Sequence, residues 1–387
     1  MSEFWLVSVP GDKTPQQAFD KLNDVTKNQN GLSENYKFNI PDLKVGTLDQ
    51  LVGLSDDLGK LDGFVEQVTK KLANYLGEVL ENQRDKISEN LLANGGALDA
   101  YLTNFHWDAA KYPTKQSLRT ISEIIGKQVN LIDAELKTKS AAYNNLKGNL
   151  QNLEKKKTGS LLTRNLADLV RKEHFVLNSE YLTTLLVVIP KTYLPEWWAK
   201  YERLTQMIAP RSSQLVFEDS DHALVTITLF HKVVDEFRSK ARENRFIVRE
   251  FSYDEETIAA GKNELTKLMN DKKKHYGHLI RWLKINFSES FTAWIHVKAL
   301  RVFVESVLRY GLPVNFQAVI VHPNRRNVRR LKEVLNNMYS HLDSTGSQSV
   351  ADNVDIPGMV FSTGDYYPYV FFKLNVDTSD LVSSKIV

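Results

Sequence analysis

The sequence predicts an elongated α+β protein: two α/β globules joined by a long antiparallel two-helix neck. Three observations predict it, namely two long proline-free helical stretches, a β-α-β-β-α-β order between them, and strand patterns near both chain ends. Strands at both ends indicate that the two ends share one domain. We therefore expect a first globule from 1–113 and 285–387, a neck from 114–157 and 255–284, and a second globule from 158–254.

The first neck helix is predicted from the longest periodic segment, 114–157, which contains no proline. A helix of this length spans roughly 60 Å, more than the diameter of an ordinary compact domain, so it must leave its globule and run alone or beside a partner. Its apolar residues recur at alternating steps of three and four, with one gap at Lys139. They are Leu118, Ile121, Ile125, Val129, Ile132, Leu136, Tyr143, Leu146, Leu150 and Leu153.

The second neck helix, 255–284, carries a matching apolar seam that is interrupted at Lys272. If the two helices are antiparallel and residue 157 lies near 255, then Lys139 and Lys272 lie at about the same level. Two lysines facing each other would repel, which predicts a bend or an opening there. The alternative is that both side chains extend into water. The seam residues are Ile258, Leu265, Leu268, Tyr276, Leu279 and Leu283.

The segment enclosed by the neck helices, 158–254, alternates strand and helix patterns in the order of a ferredoxin-like sandwich. This scaffold is common and identifies no function by itself. The predicted strands are 181–190, 214–218, 222–230 and 246–253, and the predicted helices are 195–208 and 231–245.

The chain ends supply the strands of the first globule. A strand is predicted at 4–10 near the start and another at 316–323. After these come a basic helix at 325–341, a loop rich in Ser, Gly and Asp at 343–356, and a terminal strand at 366–376.

Composition excludes several classes of protein. Fifty basic residues against 47 acidic ones leave a net charge of +3, which argues against a dedicated nucleic-acid binder. The absence of cysteine excludes disulfides, thiolate metal sites and cysteine nucleophiles. The longest apolar run, 185–189, is far shorter than the ~20 residues of a membrane span, and the first residues lack the features of a secretory signal. We expect a cytoplasmic protein.

No motif in the sequence indicates catalysis. The phosphate-binding loop, the dinucleotide-binding glycine pattern, the serine hydrolase elbow and the zinc-protease helix are all missing. His275 and His278 could share one helical face, but only Asp271 adjoins them as a further acidic ligand. We expect no catalytic residue, no cofactor and no metal.

A charged stripe crosses the helical segment 296–313. Lys298, Arg301, Glu305 and Arg309 are spaced by three, four and four residues, which places them on one side of a helix. The three cations could bind a phosphate, but no glycine-rich backbone accompanies them. The preferred interpretation is a structural or partner-facing outer wall.

Two further features are candidates for partner binding. Arg325, Arg326, Arg329 and Arg330 begin a predicted helix, where the dipole disfavours each cation by about 0.3–1 kcal/mol. Such a cluster is either a solvated face or a surface for an acidic partner. Trp197, followed by Trp198, is either a core residue beside one exposed ring or a partner-binding anchor.

Four segments, 37–58, 140–164, 175–191 and 294–316, closely resemble the C subunit of the vacuolar-type proton-pumping ATPase (V-ATPase), and the likeness extends over essentially the whole chain. The resemblance implies a head (158–254), a neck, and a foot built from both chain ends. It also implies a non-catalytic stator component. The head would hold one peripheral stalk, a heterodimer of the E and G subunits. The foot would hold a second stalk and the cytosolic domain of the membrane-embedded a subunit.

The resemblance further implies reversible assembly of the pump, controlled by release of this component. It implies a location at the cytosolic face of acidified organelles or of the plasma membrane. Actin binding is also associated with this family. Two alternatives stay open on the sequence alone: a cytoskeletal, actin-binding linker, and a nucleotide-responsive binding protein that uses the charged stripe.

Overall fold

The computed structural model describes residues 3–80, 87–342 and 367–376. The chain divides into two compact units. Unit 1 is Met1–Lys139 with Gly277–Val387, and unit 2 is Ser140–Tyr276. The described residues of each unit form one four-stranded antiparallel sheet, so the protein is a mixed α/β structure.

The helices and strands are named here in chain order. They are β1 (Glu3–Pro10), α1 (Pro15–Asn23), β2 (Ser33–Phe38), α2 (Leu48–Val79), α3 (Ile87–Asn90), α4 (Leu98–Thr103), α5 (Leu118–Thr158), β3 (Leu182–Pro190), α6 (Leu194–Lys200), β4 (Gln214–Glu218), β5 (His222–Phe230), α7 (Val234–Glu243), β6 (Ile247–Arg249), α8 (Glu255–Tyr310), β7 (Phe316–Pro323), α9 (Val328–Tyr339) and β8 (Val370–Asn375).

The sheet of unit 1 has the strand order β2-β7-β1-β8. Alternate residues of β1 point to opposite faces, and both faces are buried. On one face Trp5 and Val7 pack with α1 and α9. On the other face α8 covers the sheet: the Ser306 hydroxyl lies 2.7 Å from that of Ser8, and the Tyr310 hydroxyl donates to the Ser8 carbonyl.

Helix α8 is one continuous helix, whereas the sequence predicted a neck helix ending at 284 and a separate helix from 296. Neither proline nor glycine occurs between 285 and 295, so nothing in the chain interrupts the helix. Every residue from Ser290 to Leu300 is buried, as expected for a helix surrounded by other elements. Gly311, with φ of 80°, follows its last residue.

The predicted register of the neck helices is wrong. In unit 1 the Trp282 indole donates to Glu135 at 2.9 Å, and Lys139 Nζ lies 5.5 Å from the centre of the Trp282 ring. Lys139 therefore packs on a residue ten positions beyond Lys272, its predicted neighbour. The prediction assumed that the ends of the two helices meet, but side-chain contacts along the helices set the register. No break occurs in α8 at Lys272.

Unit 2 confirms the predicted β-α-β-β-α-β order, with the sheet order β4-β5-β3-β6. One face of the sheet packs against α6 and α7. A short segment before the sheet covers the other face through Leu161, Leu166 and Val170. The helix predicted to reach 208 ends at Lys200, with a 3-10 turn to Arg203, and the predicted strand 246–253 is confined to β6.

The predicted strands near the chain ends are also present, as β1, β7 and β8. The predicted basic helix is a 3-10 turn at Arg325–Asn327 followed by α9. The predicted loop at 343–356 lies outside the described residues. Unit 1 repeats the β-α-β-β-α-β order of unit 2 in its elements β1-α1-β2 and β7-α9-β8. The four strands of these elements form the sheet of unit 1.

Candidate functional site

The residues predicted as partner-binding lie in three separate places. Trp197 belongs to unit 2. The charged stripe and the four arginines belong to unit 1, on α8 and at the start of α9. Each place has its own geometry.

Trp197 is completely buried in the core of unit 2. Its indole nitrogen donates to the Ser213 hydroxyl at 3.0 Å, and its ring lies 5.5 Å from that of Tyr201 and 5.1 Å from that of Phe246. A partner cannot reach this ring in the folded protein, so the prediction of a partner-binding Trp197 is wrong. The neighbouring Trp198 is the exposed ring of the pair, at 43%.

Two residues of the charged stripe bind a buried carboxylate that the sequence patterns did not single out. Asp62 of α2 accepts from the indole of Trp294 at 3.0 Å, from Lys298 Nζ at 2.8 Å and from Arg301 Nη1 at 2.6 Å. Trp294, Lys298 and Arg301 are spaced by four and three residues, so they face α2 from one side of α8. We call these four residues the Asp62 cluster.

Strand β8 also contacts the Asp62 cluster, through the ring of Phe372. The Arg301 guanidinium carbon lies 4.4 Å from the centre of the Phe372 ring, and Lys298 Nζ lies 5.8 Å from it. Both cations thus face the ring's electron-rich surface as well as a carboxylate. The cluster holds α2, α8 and β8 together, three elements that are distant in sequence.

The Asp62 cluster is a structural element. The carboxylate already accepts three hydrogen bonds, and the side chains of Asp62 and Lys298 are only 5% and 7% exposed. The predicted outer wall is therefore wrong at Lys298, which lies inside. Arg309 is exposed and donates to the Tyr367 carbonyl at 2.8 Å.

A signal for Asp62 is present in the sequence. Leu58, Asp62 and Val65 are spaced by four and three residues, which puts the aspartate on the apolar face of α2. All three residues are buried. An acidic residue on such a face predicts a buried cation partner, because an unpaired buried charge is strongly destabilising.

The four arginines lie together on the surface where β7 passes into α9; we call Arg325, Arg326, Arg329 and Arg330 the arginine corner. All four are exposed. The first two occupy a 3-10 turn, and the other two lie in the first turn of α9, which contains no acidic residue. Arg330 Nη2 lies 3.3 Å from the Asn30 amide oxygen. Sequence spacing alone predicted this grouping.

A buried histidine also escaped sequence-based prediction. His296 Nδ1 donates to the Thr292 carbonyl at 2.7 Å, and Nε2 accepts from the Asp108 backbone N–H at 3.0 Å. Burial lowers the pKa of His296 to about 4, so the ring is neutral near pH 7. Both nitrogens are occupied, so the histidine cannot act as a base or as a metal ligand in this fold. The aromatic rings around it are Phe105, Trp107 and Tyr112.

Neither a metal cluster nor a membrane helix is found in the part of the chain that the structure describes. Among these residues no group of three or more His, Cys, Asp or Glu side chains could hold a metal ion. None of the described helices combines the length and the apolar character needed to cross a bilayer.

Comparison with known proteins identifies the family. A family model for the V-ATPase C subunit matches residues 4–370. The chain is 66% identical over 380 residues to the V-type proton ATPase C subunit of Manduca sexta, covering 97% of this chain and 98% of the relative. It is 61% identical over 381 residues to the C 1-A subunit of Danio rerio, covering 98% of this chain and 100% of the relative. It is 60% identical over 375 residues to the C 1 subunit of Mus musculus, covering 97% of this chain and 98% of the relative. The chain therefore belongs to the V-ATPase C subunit family.

Proposed function

We propose that this chain is a non-catalytic stator and regulatory subunit of the vacuolar-type proton-translocating ATPase. In this role it bridges the peripheral-stalk heterodimers of the E and G subunits and the cytosolic domain of the membrane-embedded a subunit. Its attachment and release control assembly of the soluble sector on the membrane sector. The observation that carries the proposal is the family match, which extends over residues 4–370.

The chemistry of the buried polar groups supports a non-catalytic role. The Asp62 carboxylate is saturated by three donors, and both nitrogens of His296 are engaged. A general base or nucleophile needs a free lone pair within reach of a substrate. These groups instead connect helices and loops of unit 1.

A stationary part of a rotary motor must resist deformation under torque. Two long uninterrupted helices, α5 with 41 residues and α8 with 56, support this requirement. The Asp62 cluster links α8 to α2 and to β8. We place one stalk contact on the head, 158–254, and the contacts to the second stalk and to the a subunit on the foot, 1–113 with 285–387. Polar interfaces of moderate size suit reversible attachment at the cytosolic face of a membrane.

Reconstitution tests the proposal. The full-length chain is mixed with a purified E–G heterodimer and with the cytosolic domain of the a subunit, and complexes are separated by size-exclusion chromatography with light scattering. We expect a complex that contains all components, and an unrelated coiled-coil heterodimer serves as the control. The absence of any complex at micromolar concentrations would contradict the bridging role.

The structure bears differently on the two alternative roles. A nucleotide-responsive role that uses the charged stripe loses support, because Lys298 is buried and paired with Asp62. Calorimetry with ATP measures whether the chain binds this nucleotide. The cytoskeletal role stays a prediction, and co-sedimentation with actin filaments measures it.

A further inference from the structure

The arginine corner has a counterpart at the equivalent place in unit 2. In both units the strand that is third in chain order within its sheet, β5 or β7, leads into a three-residue 3-10 turn and then into a helix, α7 or α9. The fourth residue of each helix is fully buried, Phe237 in α7 and Leu331 in α9. The eighth residue is also fully buried, Ala241 in the first case and Leu335 in the second. The two helices thus meet the same packing requirement.

The charges at the start of the two helices are opposite. The second and third residues of α7 are Asp235 and Glu236, whereas those of α9 are Arg329 and Arg330. Acidic residues are the favourable choice in a first turn, since the N-terminus of a helix carries a partial positive charge. Unit 2 shows that this fold accepts them. The arginines of α9 are therefore not imposed by the architecture.

The charges at the start of α7 are partly balanced, since Lys240 Nζ lies 2.7 Å from Glu236. At the start of α9, within the described residues, no carboxylate lies within 4 Å of Arg329 or Arg330, or of Arg326 in the preceding 3-10 turn. Three exposed guanidinium groups thus add their charge to the positive end of a helix. A negatively charged group from outside would reduce both the repulsion among the guanidinium groups and their repulsion by the positive end of the helix.

We propose that the arginine corner binds an acidic segment of a partner protein, one that presents aspartate or glutamate carboxylates. Arginine is suited to this task because its planar fork donates two parallel hydrogen bonds to a carboxylate. Arg329 and Arg330 lie in the first turn of α9, and Arg326 lies in the 3-10 turn directly before it, so three guanidinium groups are brought to the start of one helix. The inference goes beyond the proposed function, since it depends only on the charges of this surface.

The same surface is poorly suited to nucleic acids and membranes. Residues 320–335 contain no Phe, Tyr or Trp on which bases could stack. The net charge of +3 is also small for a nucleic-acid binder. A membrane-binding surface would be expected to add apolar side chains for insertion, and none of the exposed large apolar residues lies in this range. A protein carboxylate is the ligand that these observations favour.

The test uses the full-length chain and a fluorescein-labelled peptide of alternating glutamate and serine. Fluorescence anisotropy should show that the peptide binds the wild type and that added salt weakens binding. We expect Arg329→Asp/Arg330→Glu, which copies the charges of α7, to weaken binding at least about tenfold, a difference of about 1.4 kcal/mol. The control is Lys273→Asp/Lys274→Glu, the same charge change at two exposed positions of α8. It should leave binding unchanged within about twofold, a small fraction of that energy.

Thermal unfolding separates lost binding from lost structure. The Arg329→Asp/Arg330→Glu variant should melt no lower than the wild type, because acidic residues favour the first turn of α9. The inference is overturned if the wild type fails to bind the peptide, if both variants weaken binding equally, or if neither does. It is also overturned if single-stranded DNA or phosphatidylserine vesicles bind more tightly and are lost in the same variant. Reconstitution with the E, G and a subunits is a separate measurement, so failure here leaves the proposed function standing.

Discussion

The two sheets of this protein have the same strand order but very different connections. In unit 2 the second and third strands, β4 and β5, are joined by residues 219–221. In unit 1 the corresponding strands, β2 and β7, are separated by residues 39–315, which include all of unit 2. The order of strands therefore depends on which strands pair and pack, and the length of the connection has little influence. The entropy of closing a loop grows only logarithmically with its length.

The units also differ in how they cover the second face of the sheet. Unit 2 uses a short local segment with apolar contacts from Leu161, Leu166 and Val170. Unit 1 uses helix α8, which is held in place by the polar Asp62 cluster and by hydrogen bonds to Ser8. A long insertion can supply a whole helix as a cover, but its position then depends on contacts between residues far apart in the chain.

The largest expected effect comes from cutting the chain. A fragment of residues 140–276 keeps all four strands of its sheet and should unfold cooperatively on heating. A matched fragment, 1–139, retains β1 and β2 but lacks β7, the strand between them, and should show no cooperative transition. Circular dichroism measures both transitions. Cooperative unfolding of the second fragment would contradict the role given to β7.

Removing the carboxylate of the Asp62 cluster tests the dependence of unit 1 on distant contacts. Asp62→Ala leaves Lys298 and Arg301 without their carboxylate, so the free energy of unfolding should fall by about 3–5 kcal/mol. Asp57→Ala changes an exposed aspartate on the same helix and should cost less than about 0.5 kcal/mol. Urea unfolding measures both values, and hydrogen exchange in β5 should be unchanged. If Asp62→Ala lowers the free energy of unfolding by less than about 1 kcal/mol, the ion pairs of Asp62 with Lys298 and Arg301 contribute little to the stability of unit 1.

Acid should weaken unit 1 through His296. Its pKa in the folded protein is about 4, below the value of 6.5 for an unperturbed histidine, so the unfolded chain binds the proton more strongly. The stabilisation is complete above about pH 6.5 and is lost as the pH falls toward 4. Between pH 7.5 and pH 5 the loss should be about 2 kcal/mol.

The comparison for His296 is the same pH series on His296→Gln, in which the titrating group is absent. The variant is expected to be less stable at pH 7.5, but its stability should change much less between pH 7.5 and pH 5. Urea unfolding at each pH provides the data. Parallel pH curves for the two proteins would rule out His296 as the source of the pH dependence.

The smallest expected effect sharpens the comparison of α7 with α9. Arg329→Asp/Arg330→Glu should stabilise unit 1 by about 1 kcal/mol, and Asp235→Arg/Glu236→Arg should destabilise unit 2 by a similar amount. Hydrogen exchange of the amides of Leu331 and Phe237 at low ionic strength reports each helix separately. Both changes should shrink as salt is added. Changes of the same sign in the two units would contradict a dipole effect.

Structural features that depend on residues close together in the chain could be predicted from the sequence. Strands β4, β5 and β7 have the predicted bounds, and the β-α-β-β-α-β order of unit 2 is the predicted one. The grouping of the four arginines also followed from their spacing. Each of these features depends on residues a few positions apart, whose relation is set by the geometry of a strand or a helix.

Reading the amino-acid sequence was thus enough for the element order of unit 2, the long helix α5, the exposed arginine corner and the likeness to a known family. The folded structure was needed to show that Trp197 is buried and Trp198 exposed, that Lys139 packs on Trp282, and that Lys298 is an internal partner of Asp62. The cause is distance along the chain. Periodicity shows which side chains share a face, but which distant element covers that face depends on the packing of the whole unit.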